Sequence, residues 1–458
     1  MPNADTNNDN SRGHWGSHLG FILAAAGSAV GLGNIWKFPY ITGINGGGAF
    51  VVVYLLCVAF VGLPVMTAEI MIGRASQRST VSAFHRLAPR EWWGSIGWLG
   101  ALASFCLFSY YATVAGWALH YTYLALTGQI VGPGAEAVQE VFGGLQKDGL
   151  LSVFWHLTFI LLTVAVVLGG VAKGVERWAK ILMPALMGML VILLGKAMTM
   201  SGWNEGFSFV FGFNTEKLTS AGVLEALGHA FFTLSLGMGA MLTYGSYLHK
   251  SDDIVAASIA TSALDTIIAL VAALVLFPII FSFGMEPGAG PGLIFVTIPI
   301  ALAQMTGGTL MAIVFFGLLV FAALTSSISM LEVAASYLID EKGWMRSRAV
   351  WLSGAAVAVF GLPSALSGST AMFGSSFASV FGGDWFTVID YLVSNWMLPL
   401  GGFGVALFVG WRLEEEIRHD HFLSGSRFAM FYRAWLFLLK YMAPLAILLV
   451  FLHALGLL

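Results

Sequence analysis

The sequence predicts an all-α polytopic membrane protein with eleven transmembrane helices, and three observations carry that expectation. Of its 458 residues, 58% are hydrophobic and only 10% are charged, against ~25% charged in ordinary soluble domains. Apolar runs of the ~20 residues that cross a bilayer as a helix fall at 17–42, 48–73, 94–127, 151–171, 178–200, 222–248, 254–284, 309–339, 347–361, 384–411 and 428–456. The first and sixth runs are each interrupted by glycine, at Gly31-Leu32-Gly33 and at Ser235-Leu236-Gly237-Met238-Gly239, and each opens a block of five spans. Paired interruptions of this kind point to a five-plus-five inverted repeat with discontinuous helices 1 and 6 and a site at the bilayer midplane.

The chain divides accordingly. Residues 1–14 form a polar tail with no apolar signal-peptide core. The first repeat occupies 15–200, an outer loop 201–221, the second repeat 222–411, and a loop with helix 11 occupies 412–458. The stretch 287–306 is apolar but carries Pro287, Pro291 and Pro299, and reads as a re-entrant or capping loop. Basic residues near span ends set the orientation. One set of loops holds Arg12, Arg74, Arg78, Arg86, Arg90, Lys173, Arg177, Lys180, Lys250, Lys342, Arg346, Arg348, Arg412, Arg418, Arg427 and Arg433, whereas the opposite set offers little beyond Lys147, Lys196 and Lys217. The N-terminus is therefore expected in the cytoplasm and the C-terminus outside. Cys57 and Cys106 lie in apolar segments and read as buried thiols. No basic patch of the kind nucleic acid requires is present.

The residues that carry chemistry sit where a membrane helix should be most regular. In lipid, a freed backbone carbonyl or amide needs another partner, and Gly27, Gly31 and Gly33 with Asn34 break the first span. Close helix packing through Gly27-x-x-x-Gly31 is the alternative. On the sixth span, Thr233 and Ser235 stand beside Gly237 and Gly239; such hydroxyls also bond back to their own helix. Asp265 is a carboxylate inside the seventh span, which costs ~2.5–3.5 kcal/mol to insert. No Lys or Arg lies in a neighbouring stretch of span, so a hard cation is its expected partner, with a structural pairing as the alternative. Ala322, Thr325 and Ser326 share one face of the eighth span. Glu69, which follows Pro64, is expected to support the broken first helix, and His229 to be a hydrogen-bonded structural residue. Lys37 and Asp390 are placed to pair across an outer mouth, and Arg12 and Asp340 across an inner one. No nucleophile–base pair, phosphate loop or metal-ligand spacing of histidines appears, so no enzyme is expected.

These stretches resemble the neurotransmitter:sodium symporter family. The resemblance is carried by Arg12 with Trp15, by the run from Gly27 to Tyr40, by Asn45-Gly46-Gly47-Gly48-Ala49-Phe50, by Lys173-Gly174-Val175-Glu176-Arg177 and by Leu324-Thr325-Ser326-Ser327. The eleven-span form is similar to bacterial hydrophobic amino-acid transporters of that family, which implies a bacterial inner-membrane location. Two Na⁺ sites are implied: Na1 from Ala29, Asn34, Thr233 and Asp265, and Na2 from Gly27, Val30, Ala322, Thr325 and Ser326. The implied substrate site takes in Ser28, Ala29, Leu32, Gly33, Leu107, Tyr111, Phe232, Thr233, Ser235, Met238, Ser326 and Met330, with Phe232 and Tyr111 as outer lid. Lys37, Asp390, Arg12, Asp340 and Trp15 are the implied gates. Gly31 replaces the acid of monoamine carriers, implying a substrate that brings its own carboxylate. Three departures matter. Lys37 stands where an Arg is usual, so the outer gate cannot be bidentate. Asp265 stands where chloride-dependent members are neutral, so chloride dependence is not expected. Ala269 stands where some bacterial members place an acid, which speaks against proton antiport there. Gly174 and Pro184 bracket a helix start that could unwind toward the second ion site. The expected function is sodium-coupled import of hydrophobic or aromatic L-amino acids by alternating access. Another small amino acid such as glycine, alanine or taurine, or a non-transporting amino-acid sensor, is the alternative.

Overall fold

A computed structural model of the chain describes residues 13–130, 135–286, 290–455 and 457. Among them the regular structure is helical, apart from one isolated bridge between Gly47 and Phe213. Among the described residues nine helices are long and apolar enough to cross a membrane: Gly48–Ser76, Gly94–Leu126, Gly149–Leu168, Val171–Met198, Ile254–Ser282, Gly308–Lys342, Arg346–Leu366, Trp385–Arg412 and Ala429–His453. The first span is a pair, His18–Ala29 and Gly33–Ile44, bent by 52° at its break. The sixth is Ser220–Thr233 and Ala240–Gly245, each too short to cross alone. These two broken spans complete the eleven that the apolar runs predict. The multi-pass, all-α class expected from composition is therefore the observed one.

Proline shapes many of these helices in one recurrent way. Pro39, Pro64, Pro299, Pro399 and Pro444 each sit one residue into an α-helix that follows a five-residue π turn. The proline ring cannot lie against the carbonyl four residues back. The residue before it donates five back instead: Phe38 to Gly33, Leu63 to Val58, Ile298 to Leu293, Leu398 to Val393 and Ala443 to Leu438. A wide turn thus keeps the ladder intact inside an apolar span. The same device corrects the expectation of a loop at 287–306. Leu293–Gln304 is a short apolar helix there, not a span, and Pro287 lies outside the described residues. The segment between Gly174 and Pro184 is helical throughout: Val171–Met198 is one continuous helix that opens with a π turn at Val171–Glu176.

The third and eighth spans pack along most of their length and form the central wall of the molecule. Against it lie the two breaks. In the sixth span, residues 234–239 turn sharply, with positive φ at Ser235 (55°), Gly237 (79°) and Gly239 (75°). Gly237 is required twice over: its φ disfavours any side chain, and a Cβ there would stand 2.0 Å from the Leu398 carbonyl oxygen. Its freed amide donates to Glu69 Oε1 at 2.6 Å. Glu69 therefore supports the sixth helix and not the first, correcting the sequence expectation. Packing of the second span on the Ala240–Gly245 half-helix decides this, since it brings the carboxylate to the nearest unpaired donor. Ser235 Oγ closes the junction by donating to the Ser28 carbonyl at 2.8 Å.

Candidate ion and substrate sites

Asp265, Asn34 and Thr233 meet at the first cluster, all buried, the first two with 0% exposure. Asn34 Nδ2 donates to Asp265 Oδ1 at 2.7 Å and to the Asp265 carbonyl at 3.1 Å. Thr233 donates to the same Oδ1 at 2.9 Å, and Tyr54 reaches Oδ2 at 3.3 Å. The Asn34 amide oxygen accepts from the Gly31 N–H at 2.9 Å. Ala29 ends the first half-helix and lines the adjoining cavity. Among the described residues no Lys, Arg or His forms an ion pair with Asp265. A carboxylate so placed is costly unless a cation joins it. Tyr54 escaped the sequence reading because it lies in a uniformly apolar stretch of the second span.

The second cluster assembles from elements nearly 300 positions apart. Ser326 Oγ lies 3.3 Å from the Gly27 carbonyl, 3.2 Å from that of Val30 and 3.3 Å from that of Ala322. Thr325 Oγ1 lies 3.0 Å from the Ala322 carbonyl. One hydroxyl proton cannot serve three carbonyls at once, so the cluster holds more acceptors than donors. All-oxygen shells of this type suit hard cations. Among the described residues there is no grouping of three or more His, Cys, Asp or Glu that would favour a transition metal.

Between the clusters lies a small cavity of about 20 Å³. Of the expected substrate residues, Ser28, Ala29, Leu32, Gly33, Leu107, Tyr111, Phe232, Thr233, Ser235, Ser326 and Met330 all line it. Met238 does not. The positive-φ turns on either side of it carry its backbone past Gly100 of the third span, away from the cavity. Gly31 lines the cavity in addition: a Cβ there would meet Ser326 Oγ at 2.8 Å and Tyr111 Oη at 3.0 Å. The Leu32 N–H donates to Tyr111 Oη at 3.2 Å, and Ser28 is held by Ser329 at 2.7 Å.

Leu32, Gly33, Tyr111 and Phe232 also border a second, outer cavity of about 150 Å³, and so form the partition between the two. Lys37 and Asp390 both line this outer cavity, yet they form no ion pair. Lys37 Nζ lies over the Phe232 ring, 4.7 Å from its centroid. Asp390 Oδ1 accepts from Tyr110 at 2.9 Å and from Ser394 at 3.0 Å. A point charge on a flexible stem is satisfied by an aromatic face where a guanidinium fork would seek a carboxylate. His229, stacked behind Phe232 and beside Phe38 and Tyr54, has neither ring nitrogen hydrogen-bonded, contrary to expectation. Its ring neighbours are Phe38, Phe232 and Tyr54, and the Tyr54 hydroxyl is taken by Asp265.

The side that carries the basic loops is closed. Trp15 Nε1 donates to the Tyr244 carbonyl at 2.9 Å, and its ring packs edge-on against Phe21, Tyr244 and Tyr247. Glu176 accepts from the Gly16 N–H at 2.6 Å and from Ser17 at 2.9 Å, and pairs with Lys180. Glu332, whose role the sequence left open, pairs with Arg346 and accepts from Tyr247 at 2.7 Å. Asp340 accepts from the Ser79 N–H at 2.5 Å. Its expected partner Arg12 lies outside the described residues.

A closed midplane pocket walled by two broken helices, with oxygen clusters on both sides, defines a secondary transporter. Comparison with known proteins specifies which kind. The family model described as the sodium:neurotransmitter symporter family matches residues 12–133 and 135–456. The "uncharacterized sodium-dependent transporter YhdH" of Bacillus subtilis (strain 168) is 36% identical over 445 residues, covering 97% of this chain and 98% of that one. An uncharacterized sodium-dependent transporter of Haemophilus influenzae is 32% identical, covering 97% and 99%. The crystal structure of MhsT in complex with L-phenylalanine superimposes with a TM-score of 0.90 at 40% identity, over 97% of this chain and 100% of that one. The chain belongs to the sodium:neurotransmitter symporter family. It is a multi-pass, sodium-dependent membrane transporter of small molecules and not an enzyme.

Proposed function

We propose that this protein imports a hydrophobic or aromatic L-amino acid together with Na⁺ bound at two sites. The single observation that carries the reading is the buried, cation-less Asp265 beside an unwound backbone. Na1 is formed by Ala29, Asn34, Thr233 and Asp265, and Na2 by Gly27, Val30, Ala322, Thr325 and Ser326. Support for Na2 comes from the excess of acceptors around Ser326. Because Asp265 supplies the negative charge at Na1, transport is independent of chloride. The substrate carboxylate meets the Leu32 and Gly33 amides and Tyr111, where the lack of a side chain at Gly31 leaves no competing acid. Its apolar side chain lies among Leu107, Phe232 and Met330, and MhsT, crystallised with L-phenylalanine, supports this class of substrate. Alternating access around this site carries substrate and ions inward, with the basic loops and the N-terminus in the cytoplasm. Inward movement of each Na⁺ across 100 mV contributes ~2.3 kcal/mol.

Uptake of labelled L-leucine and L-phenylalanine into proteoliposomes tests this. It is expected to need an inward Na⁺ gradient and to be unchanged when gluconate replaces chloride. Uptake indifferent to Na⁺ would overturn the reading.

A further inference from the structure

A groove of about 530 Å³ lies between the third, eighth and ninth spans, outside the transport pathway. Its walls include Trp98 and Leu102 of the third span, Tyr337 and Leu338 of the eighth, and Leu352 and Ala356 of the ninth. Almost no polar atom faces it, and Trp98, Leu102 and Leu352 are each about half exposed (50%, 52% and 48%). All three helices are membrane-spanning, so the groove opens to lipid and not to water. It lies close to one membrane face, since Trp98 follows the third span's start at Gly94, Tyr337 precedes the eighth span's end at Lys342, and Leu352 follows the ninth's start at Arg346.

That face carries an excess of positive charge, since Arg78, Arg86, Arg90, Lys342 and Arg348 outnumber Asp340 and Glu341. Glu332 is neutralised by Arg346 and Glu91 by Arg412, while Asp340 and Glu341, which accept from the Ser79 N–H and the Ser82 hydroxyl, keep their negative charges. Arg90 and Arg348 are exposed and, among the described residues, in no ion pair. Arg348, one helical turn before Leu352, lies over the Trp344 ring at 4.2 Å, which holds its guanidinium at the interface. An apolar slot with Arg348 held one helical turn from it, on a face with excess positive charge, is complementary to a phospholipid with an acyl chain in the slot and an anionic headgroup at the guanidinium.

We infer that this groove is a binding site for an anionic phospholipid. Only the choice of leaflet, the cytoplasmic one, rests on the orientation proposed above. The third and eighth spans that clasp the lipid also pack on each other, so occupancy adds to the stability of the fold.

The experiment uses the full chain in detergent, titrated with phosphatidylglycerol or with phosphatidylcholine of the same chains. Thermal unfolding midpoints and bound lipid by native mass spectrometry are read together. Phosphatidylglycerol is expected to raise the midpoint by several degrees more than phosphatidylcholine and to remain as a 1:1 adduct. Arg90→Gln with Arg348→Gln, both on the surface, should erase the difference between the two lipids. Ala356→Trp, which fills the slot, should remove the adduct and leave Na⁺-dependent substrate binding intact. Equal stabilisation by both lipids, or retention of the phosphatidylglycerol preference in the double arginine variant, would overturn the inference.

Discussion

Asp265 concentrates the energetics of the first ion cluster into one side chain. Three hydrogen bonds from Asn34, Thr233 and Tyr54 orient it, but none carries the positive charge it needs. Asp265→Asn is expected to weaken Na⁺-dependent substrate binding at least tenfold, measured as the Na⁺ concentration for half-maximal binding. A value unchanged from wild type would place the ion elsewhere. Gly31→Ala makes a different test: the added methyl approaches Ser326 Oγ and Tyr111 Oη. Substrate affinity should fall while the unfolding midpoint is largely kept, because the methyl intrudes on a cavity and not on packed backbone. His229 carries the opposite expectation. With no hydrogen bond to lose, His229→Leu should leave thermal stability equal or higher, whereas removing a bonded buried group leaves its partner unpaired at ~1–3 kcal/mol.

The breaks are held by contacts from other helices. Glu69 on Gly237 is the clearest, so Glu69→Ala should lower stability by about 1–3 kcal/mol by orphaning the Gly237 amide. On the side that carries the basic loops, a tether joins the end of the second span to the loop helix Glu415–Leu423. Arg74 Nε donates to His421 Nδ1 at 3.2 Å, and the Arg74 guanidinium also reaches the His421 and Asp252 carbonyls. Burial first, then the Arg74 charge, push the His421 imidazole down to about 4. The unfolded chain takes up that proton near ~6.5, so between ~6.5 and about 4 the unfolded state binds more protons and stability falls with pH. Above that window the contribution is complete. Thermal unfolding between pH 7.5 and pH 5 should therefore show a decline that His421→Gln flattens.

At the scale of the whole molecule the two sides differ. The outer cavity reaches the partition of Tyr111 and Phe232, while Trp15, Glu176 and the Glu332–Arg346 pair seal the inside. Trp15→Ala should therefore open the inner side. In a variant with Cys57 and Cys106 replaced by Ser, a cysteine at Ser336, which borders a cavity of about 340 Å³ beside Tyr247, Asp340 and Arg346, should then react faster with a membrane-impermeant thiol reagent applied from the side of the basic loops. An unchanged rate would show that Trp15 is not the seal.

Span number, the two broken helices and most ligands of the proposed sites were legible in the sequence. Apolar length, glycine in mid-span and a carboxylate in lipid are local facts with large local costs, so each announces itself without knowledge of the fold. What only tertiary structure decided were the pairings: Glu69 with Gly237, Lys37 with Phe232, Tyr54 with Asp265, and Met238 turned aside toward Gly100. Those depend on how helices distant in sequence pack and on single φ angles in the unwound turn. A buried polar atom bonds whichever partner the packing brings within 3 Å or so, or, like His229, none at all.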